Sequence, residues 1–535
     1  MSRPATGFTV SKRSLAAAAA ALVLIQLALT YLTTFSAVRW GPMDLMLATI
    51  FGGVVFRYRL PLSRAYPWLA GTALTVLLLY GLALRVFPVF FGRSFSGRYD
   101  LLLAGNLVDL LFDSGPPVVG ALLLVGVAAV LLGLVALLAW LIASLASGLS
   151  TMTSRSFGVV VCMGGVVLAL ATLGGFDGRI LLASELFDEL AEAHGLLNGQ
   201  NELDAAIEAR RIQLESVPSD LARIREQSVF LFAVESYGEA IWKAPSYRAL
   251  FEPFRREAEA SLETAGFQIA SRLIRSPVKG GGSWFAHSTI LTGHSCDNTI
   301  VYERLLESRL APLPSYFRRS GHHTVSALPA VDIPKEDWPD GRYFRFDEQF
   351  WFHDFDYTGP RFGWSPIPDQ FAIQSFHERV VAREPDRPLF VDFTLTSSHS
   401  PFRWVPPYVD GHPSTAELEA AYRKRRPTEY DNSYHRLVQP AEGYTDSIRY
   451  SLQSVIDYAV HAPLDDAIFI VVGDHQPMAT LEGTESNLVP LHVFSRDHAM
   501  VQRFVDDNFG PGLLPKRSRM RMEELLPLLL RMFSL

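Results

Sequence analysis

The chain has 535 residues, more than one ordinary domain needs, and 49% of them are hydrophobic although 19% are charged, so apolar and charged residues must be segregated. Nearly all the charge follows residue 180, and the net charge of −7 is diffuse, without the basic stripe that a nucleic-acid partner would require. The only two cysteines are Cys162, in an apolar stretch, and Cys296, in the polar half. They exclude a disulfide framework and a Cys-Cys zinc site, so any metal must rely on carboxylate, imidazole and hydroxyl ligands.

Five apolar stretches come first: Leu15 to Phe35, Pro42 to Phe56, Tyr66 to Phe91, Val118 to Leu149 and Phe157 to Phe176. Most reach the roughly 20 residues a bilayer helix needs, and the second is the shortest. Together they predict an α-helical transmembrane bundle of about five helices over residues 1–178. Leu101 to Phe112, interrupted by Asn106 and Asp109 and followed by Asp113, reads as an interfacial helix near which a lipid headgroup could sit. The first stretch follows Arg3, Lys12 and Arg13 and has no convincing cleavage site, so it reads as a retained anchor. An inside N-terminus puts Arg3, Lys12, Arg13, Arg57, Arg59, Arg64 and Arg155 on the cytoplasmic side and leaves Arg39, Arg93 and Arg98 outside. The expectation is a multi-pass protein of the bacterial inner membrane with its polar half on the periplasmic or extracellular side.

Residues 179–227 are charged and helical in pattern and read as a helical linker along the membrane surface. From 228 to 535, short β-branched or aromatic runs alternate with amphipathic helical stretches. The runs are Val229 to Val234, Phe267 to Ala270, Thr324 to Ala327, Leu389 to Leu395, Ala467 to Val472 and Val489 to Phe494. Several are apolar throughout, as strands buried on both faces of a parallel sheet are. The expected class is α/β with a mainly parallel central sheet, and Pro334 to Pro368 reads as a long loop over a site.

In such sheets ligands gather at the carboxyl ends of strands. Three runs end in groups that can hold a metal or a phosphate: Glu235, His399, and Asp474 with His475. Glu235 alone is compatible with an ordinary polar strand end, whereas an Asp-His pair directly after IFIVVG is costly unless solvated or coordinated. Residues 280–283 run Gly-Gly-Gly-Ser. The glycines permit a tight turn, and Ser283 falls where a helix can begin, either as a nucleophile facing an anion or as a capping hydroxyl. His287, four residues on, shares its helix face.

In order and spacing these elements resemble the alkaline phosphatase and sulfatase superfamily, in which a first strand ends in an acidic metal ligand, a nucleophile follows at a helix start and a late Asp-His pair closes the metal site. The resemblance gives those roles to Glu235, Ser283, Asp474 and His475. Ser283 to Gly293 follows the sulfatase signature frame through Leu291-Thr292-Gly293 without a gap. Phe285 and His287 stand where that signature has proline and arginine, which implies a serine left as a plain hydroxyl and suited to phosphoryl transfer. Five amino-terminal spans ahead of such a domain are similar to lipoteichoic acid synthases, phosphoglycerol transferases of periplasmic glucans and lipid A phosphoethanolamine transferases. Scarce cysteines set the chain apart from the last of these.

The resemblance implies one divalent metal ion, Zn²⁺ or Mn²⁺, on Glu235, Ser283, Asp474 and His475. It also implies a phospholipid donor and a glycan or lipid acceptor. Substrate contacts are expected from His399, which opens a His-x-Pro-Phe element, and from His287, Arg342 and Trp338. Trp351, His353, Asp354, Trp364 and Asp369 are equally compatible with loop packing. Two other readings stay open: a sulfatase-like phosphodiesterase or esterase in which water resolves the intermediate, and a catalytically inactive membrane sensor.

Overall fold

The computed structural model describes residues 43–60, 64–91, 117–159, 162, 200–332, 340–383, 387–400, 402, 404–424, 440–464, 466–478 and 482–535. The chain divides into two compact units, and Gln200 to Leu535 falls in the second.

In the first unit, helices Met43–Arg57, Tyr66–Phe91 and Pro117–Ser150 follow three of the five expected spans. Among the described residues two helices, in the segments Tyr66–Ala83 and Gly120–Ser150, are long and apolar enough to cross a membrane, and Ala48–Arg57 is shorter. The stretch Leu15 to Phe35, the interfacial segment with Asn106 and Asp109, and most of Phe157 to Phe176 lie outside the described residues. Small residues bring these helices close: a Cβ on Gly71 would lie 2.9 Å from the Ala139 backbone nitrogen. The Arg57 guanidinium donates to the carbonyls of Ser150 and Met152, so those two helix ends lie together.

The second unit is built on one sheet of eight strands: β1 Val229–Val234, β2 Gln268–Arg275, β3 His323–Leu328, β4 Glu348–Trp351, β5 Leu389–Leu395, β6 Ile468–Gly473, β7 Leu488–Ser495 and β8 Gly510–Pro511. Their order is β4-β3-β5-β1-β6-β7-β2-β8. The run from β4 to β6 is parallel, while β7 is antiparallel to both β6 and β2, and β8 to β2, so the sheet is mixed and mostly parallel. Every residue of β1 is buried, as its unbroken apolar sequence requires.

Alternate β1 residues feed two cores. Phe230, Phe232 and Val234 pack toward helices Pro245–Thr264, Asp369–Arg379 and Pro440–His461. Val229, Leu231 and Ala233 pack toward Ser283–Thr292, Leu313–Arg319 and Leu525–Phe533.

Three expectations are corrected. The expected linker is described from Gln200 onward, and its helix Gln200–Glu215 is part of the folded unit: Ile207 and Leu214 are buried in the second core, and Arg210 donates to the carbonyls of Gly293 and Glu523. The stretch Pro334 to Pro368 holds a short helix, Asp340–Phe344, the edge strand β4 and a turn of 3₁₀ helix rather than one long loop. Four residues are too few to show a strand period against an aromatic-rich background. Strand β2 runs five residues past the expected Ala270, because Ser271 and Arg272 interrupt the apolar pattern yet are buried in the ladder.

The register makes the site. Val234 is level with Leu395 on one side and with Gly473 on the other, so Glu235, the β5 exit and Asp474 emerge side by side from three adjacent strands. Gly473 permits this because a Cβ there would lie 1.9 Å from the Tyr237 carbonyl oxygen. Gly473→Ala is therefore expected to destabilise the domain by about 3 kcal/mol or more, read as a lowered melting temperature.

Candidate active site

The chain leaves β1 through Glu235 and turns at Ser236, whose φ of 58° is strained for a residue with a side chain. That turn makes Ser236 a clamp. Its amide donates to Asp474 Oδ1 at 2.8 Å and its hydroxyl to Glu235 Oε1 at 2.9 Å. The His475 amide donates to the same Asp474 oxygen, and the Ser276 hydroxyl holds the Asp474 carbonyl at 2.6 Å.

Ser283 arrives from the other side. Gly280, Gly281 and Gly282 all have positive φ, and left-handed Gly282 is the N-cap of helix Ser283–Thr292. Ser283 is thus the first helical residue, and its hydroxyl caps nothing. It donates to Glu235 Oε2 at 2.8 Å and lies 3.2 Å from His475 Nε2. The Gln476 carbonyl fixes both partners: it accepts from the Gly280 amide at 2.8 Å and from His475 Nδ1 at 2.9 Å.

A carbonyl only accepts, so Nδ1 carries the proton and Nε2 presents its lone pair to the cluster. Nε2 lies 3.3 Å from Glu235 Oε1 and 3.5 Å from Asp474 Oδ2. Glu235, Asp474 and His475 are all buried, and their ligand atoms lie within 4.8 Å of one another, the one such group among the described residues.

Two buried carboxylates and an imidazole lone pair converge with a single hydroxyl between them. That donor set fits a divalent cation of the Zn²⁺ or Mn²⁺ type. Without one, burial and the charge of Glu235 push the Asp474 carboxyl well above its usual range. Burial also raises the Glu235 carboxyl, but His475, His399 and the Ser283 and Ser236 hydroxyls outweigh it and hold it below the usual range.

His399 follows the β5 exit, close enough for its charge to help hold the Glu235 carboxyl down. The Ser398 hydroxyl donates to the Glu235 carbonyl at 2.6 Å, His399 Nδ1 is engaged by the Ser400 carbonyl at 2.6 Å, and the Trp364 ring stacks on the imidazole at 4.0 Å and 16°. Nε2 is the nitrogen left for a ligand.

Solved structures similar to this chain include a protein in the alkaline phosphatase superfamily. That protein, from Vibrio parahaemolyticus, is 14% identical and covers 60% of this chain and 69% of its own, at a TM-score of 0.36. The C-terminal periplasmic domain of EptC from Escherichia coli, in complex with Zn, is 12% identical over 56% of this chain and 80% of its own, at 0.36. The phosphoglycerol transferase GacH from Streptococcus pyogenes is 14% identical over 55% and 76%, also at 0.36. No family model and no curated protein matches the sequence. At these identities and TM-scores the functional reading rests on the residues themselves.

The other candidates divide. Asp369, first residue of its helix, is fully buried and holds the strand exit that carries His399. Its Oδ1 accepts from the Thr396 and Ser397 amides at 2.9 and 3.0 Å, and its Oδ2 from Ser451 at 2.6 Å. Trp364 is tied to the same exit through Ser365, whose hydroxyl lies 2.8 Å from that of Thr396. His287 is not in contact with the metal-type cluster; its Nδ1 faces Asp392 of β5.

Arg342 is exposed on the helix Asp340–Phe344, and Trp338 lies outside the described residues. Exposed His353 pairs with Asp332 at 2.9 Å, and Asp354 accepts from the Trp351 amide, so both serve loop packing. Sequence reasoning missed Ser236 and Ser398. The only signal for them was the density of hydroxyls beside the acidic and histidine residues, in Glu235-Ser236 and Thr396 to His399.

Burial raises the Asp369 carboxyl from 3.8 to about 6. A folded pKa above the unfolded one favours folding below about pH 4, and this contribution is lost as pH rises through about 6. Two pKa units correspond to about 3 kcal/mol. Asp369→Asn keeps the acceptor oxygen, so it should flatten this slope and raise stability at pH 7, read from melts between pH 4 and pH 7.

Proposed function

We propose that the chain moves a phospholipid headgroup, phosphoglycerol or phosphoethanolamine, through a covalent Ser283 intermediate to a glycan or lipid acceptor outside the cytoplasm. The observation that carries this is a helix-initial serine hydroxyl, half-exposed and 2.8 Å from Glu235, at the mouth of a buried Glu235–Asp474–His475 group. Ser283 is aimed at whatever the cluster holds, and it is the member of the set that solvent or substrate can reach.

Glu235, Asp474 and His475 would hold one divalent cation, with Ser283 beside it. When bound, the ion supplies positive charge that lowers the hydroxyl pKa and offsets charge on the phosphate. Ser283 Oγ gives up its proton and forms a bond to phosphorus, while the bond from phosphorus to the glyceride oxygen breaks and that oxygen takes a proton to leave as diacylglycerol. An acceptor hydroxyl then displaces Ser283 from the opposite side. His399, with Nδ1 engaged, turns Nε2 to the phosphoryl oxygens or to the proton in transit. The helix N-terminus beginning at Ser283 favours an anion at this point. The apolar helices of the first unit suit a donor that resides in a membrane.

Incubation with phosphatidylglycerol or phosphatidylethanolamine tests this. Diacylglycerol together with a headgroup on an added glycan or lipid supports transfer. Free headgroup phosphate alone makes the protein a hydrolase, and a wild-type protein that releases neither diacylglycerol nor headgroup makes it a catalytically inactive sensor.

A further inference from the structure

A charged residue stands where the sheet should be apolar. Asp392 lies in the middle of β5, flanked by Val391 and Phe393, level with Leu231 and Ser326 on its neighbours, and is 3% exposed. Among the described residues it accepts no hydrogen bond. Its one close titratable neighbour is His287, whose Nδ1 is 3.9 Å from Asp392 Oδ2. His287 is equally unsatisfied: Nε2 is buried and has no hydrogen-bond partner among the described residues. Burying such groups costs stability, and an apolar pair would fill the space at less cost.

The position gives a reason to keep them. His287 lies one helical turn past Ser283 on the same helix face, a Cβ separation of roughly 6 Å in any α-helix. The helix is held on both sides of that turn: Phe285, Ala286 and Ile290 are buried in the core that also receives Leu231 and Phe390. The imidazole therefore sits between the nucleophile's helix and β5.

We propose that Asp392 and His287 form a buried charge pair whose imidazole end places positive charge one turn beneath Ser283, where negative charge gathers during attack on phosphate. Asp392 acts through His287 and is a positioning residue; neither touches the substrate. The inference rests on the reading of Ser283 as nucleophile. Charge fixed in a partly buried site favours the attacked state without reorganising.

The test follows diacylglycerol release from phosphatidylglycerol and phosphatidylethanolamine by full-length protein in detergent, together with melting temperatures. His287→Gln and Asp392→Asn should each lower kcat by about tenfold or more with little change in KM. The double variant should be no worse than either single, because residues acting as a unit are not additive. His287→Lys, which keeps a cation, should retain more rate than His287→Gln.

The combination Asp392→Val with His287→Leu should melt no lower than wild type while losing the same rate, an outcome that a pair kept for packing would not give. Unchanged kcat in His287→Gln would overturn the proposal, as would parallel loss of melting temperature and rate in the apolar double variant. A wild-type protein that releases no diacylglycerol would instead defeat the reading of Ser283, and with it this role for the pair.

Discussion

Ser283→Ala is expected to lower diacylglycerol release by at least about a thousandfold, the scale seen when a covalent nucleophile is removed. Intact mass of wild-type protein incubated with donor lipid should show an adduct of the headgroup on Ser283, and the variant should show none. The size of the effect follows from geometry. Among the described residues, Ser283 Oγ is the hydroxyl that meets both Glu235 and His475, and no other side chain shares that position on the helix start. A second consequence concerns stability. Alanine leaves Glu235 Oε2 without its donor, so metal-free protein should lose about 1–3 kcal/mol, while metal-loaded protein should lose less. An adduct on another residue, or undiminished turnover, would remove Ser283 from the mechanism.

Chelation is expected to abolish activity, and Zn²⁺ or Mn²⁺ to restore it. The gain in folding stability should follow mass action, reaching about 4 kcal/mol at a thousandfold excess over the dissociation constant. Asp474→Asn separates this from a nonspecific salt effect because its two effects have opposite sign. In metal-free protein the Asp474 carboxyl is strained by burial and by Glu235, so an amide, which keeps the oxygen that accepts from Ser236 and His475, should raise the melting temperature. The same change removes a charged ligand and should erase most of the metal-induced gain. A variant still stabilised by metal as strongly as wild type would show that the ion binds elsewhere.

Much of this arrangement is legible in the sequence because the groups concerned sit where the chain changes character. Glu235 and Asp474 with His475 each follow an unbroken apolar run, and Ser283 follows three glycines. The structure places them together because those runs are the neighbouring parallel strands β1 and β6, while the glycines turn the chain in from outside the sheet.

What the sequence conceals has physical causes. Strand β4 is four residues long, and β8 two, too short for any period to stand out. Ser236 looks like any serine until its positive φ turns both its amide and its hydroxyl onto the two carboxylates. Asp369 reads as part of an aromatic-rich loop, because its role lies in bonds to Thr396, Ser397 and Ser451, all distant in sequence. Helix spacing places His287 on the face of Ser283 but does not show what lies across from it, and its Nδ1 faces Asp392 of β5.

The side-by-side exit of β1 and β6 also sets when the chemistry can begin. Ser236 and the Asp474 oxygen it clamps are 238 residues apart in the chain, and β5 must lie beside β1 before Ser398 can hold the Glu235 carbonyl. Contacts of such long sequence separation form late and slowly. No fragment ending before residue 474 contains both carboxylates, so a chain emerging from synthesis carries Ser283 and Glu235 without Asp474 and His475. The proposed nucleophile is therefore assembled only once the sheet has closed.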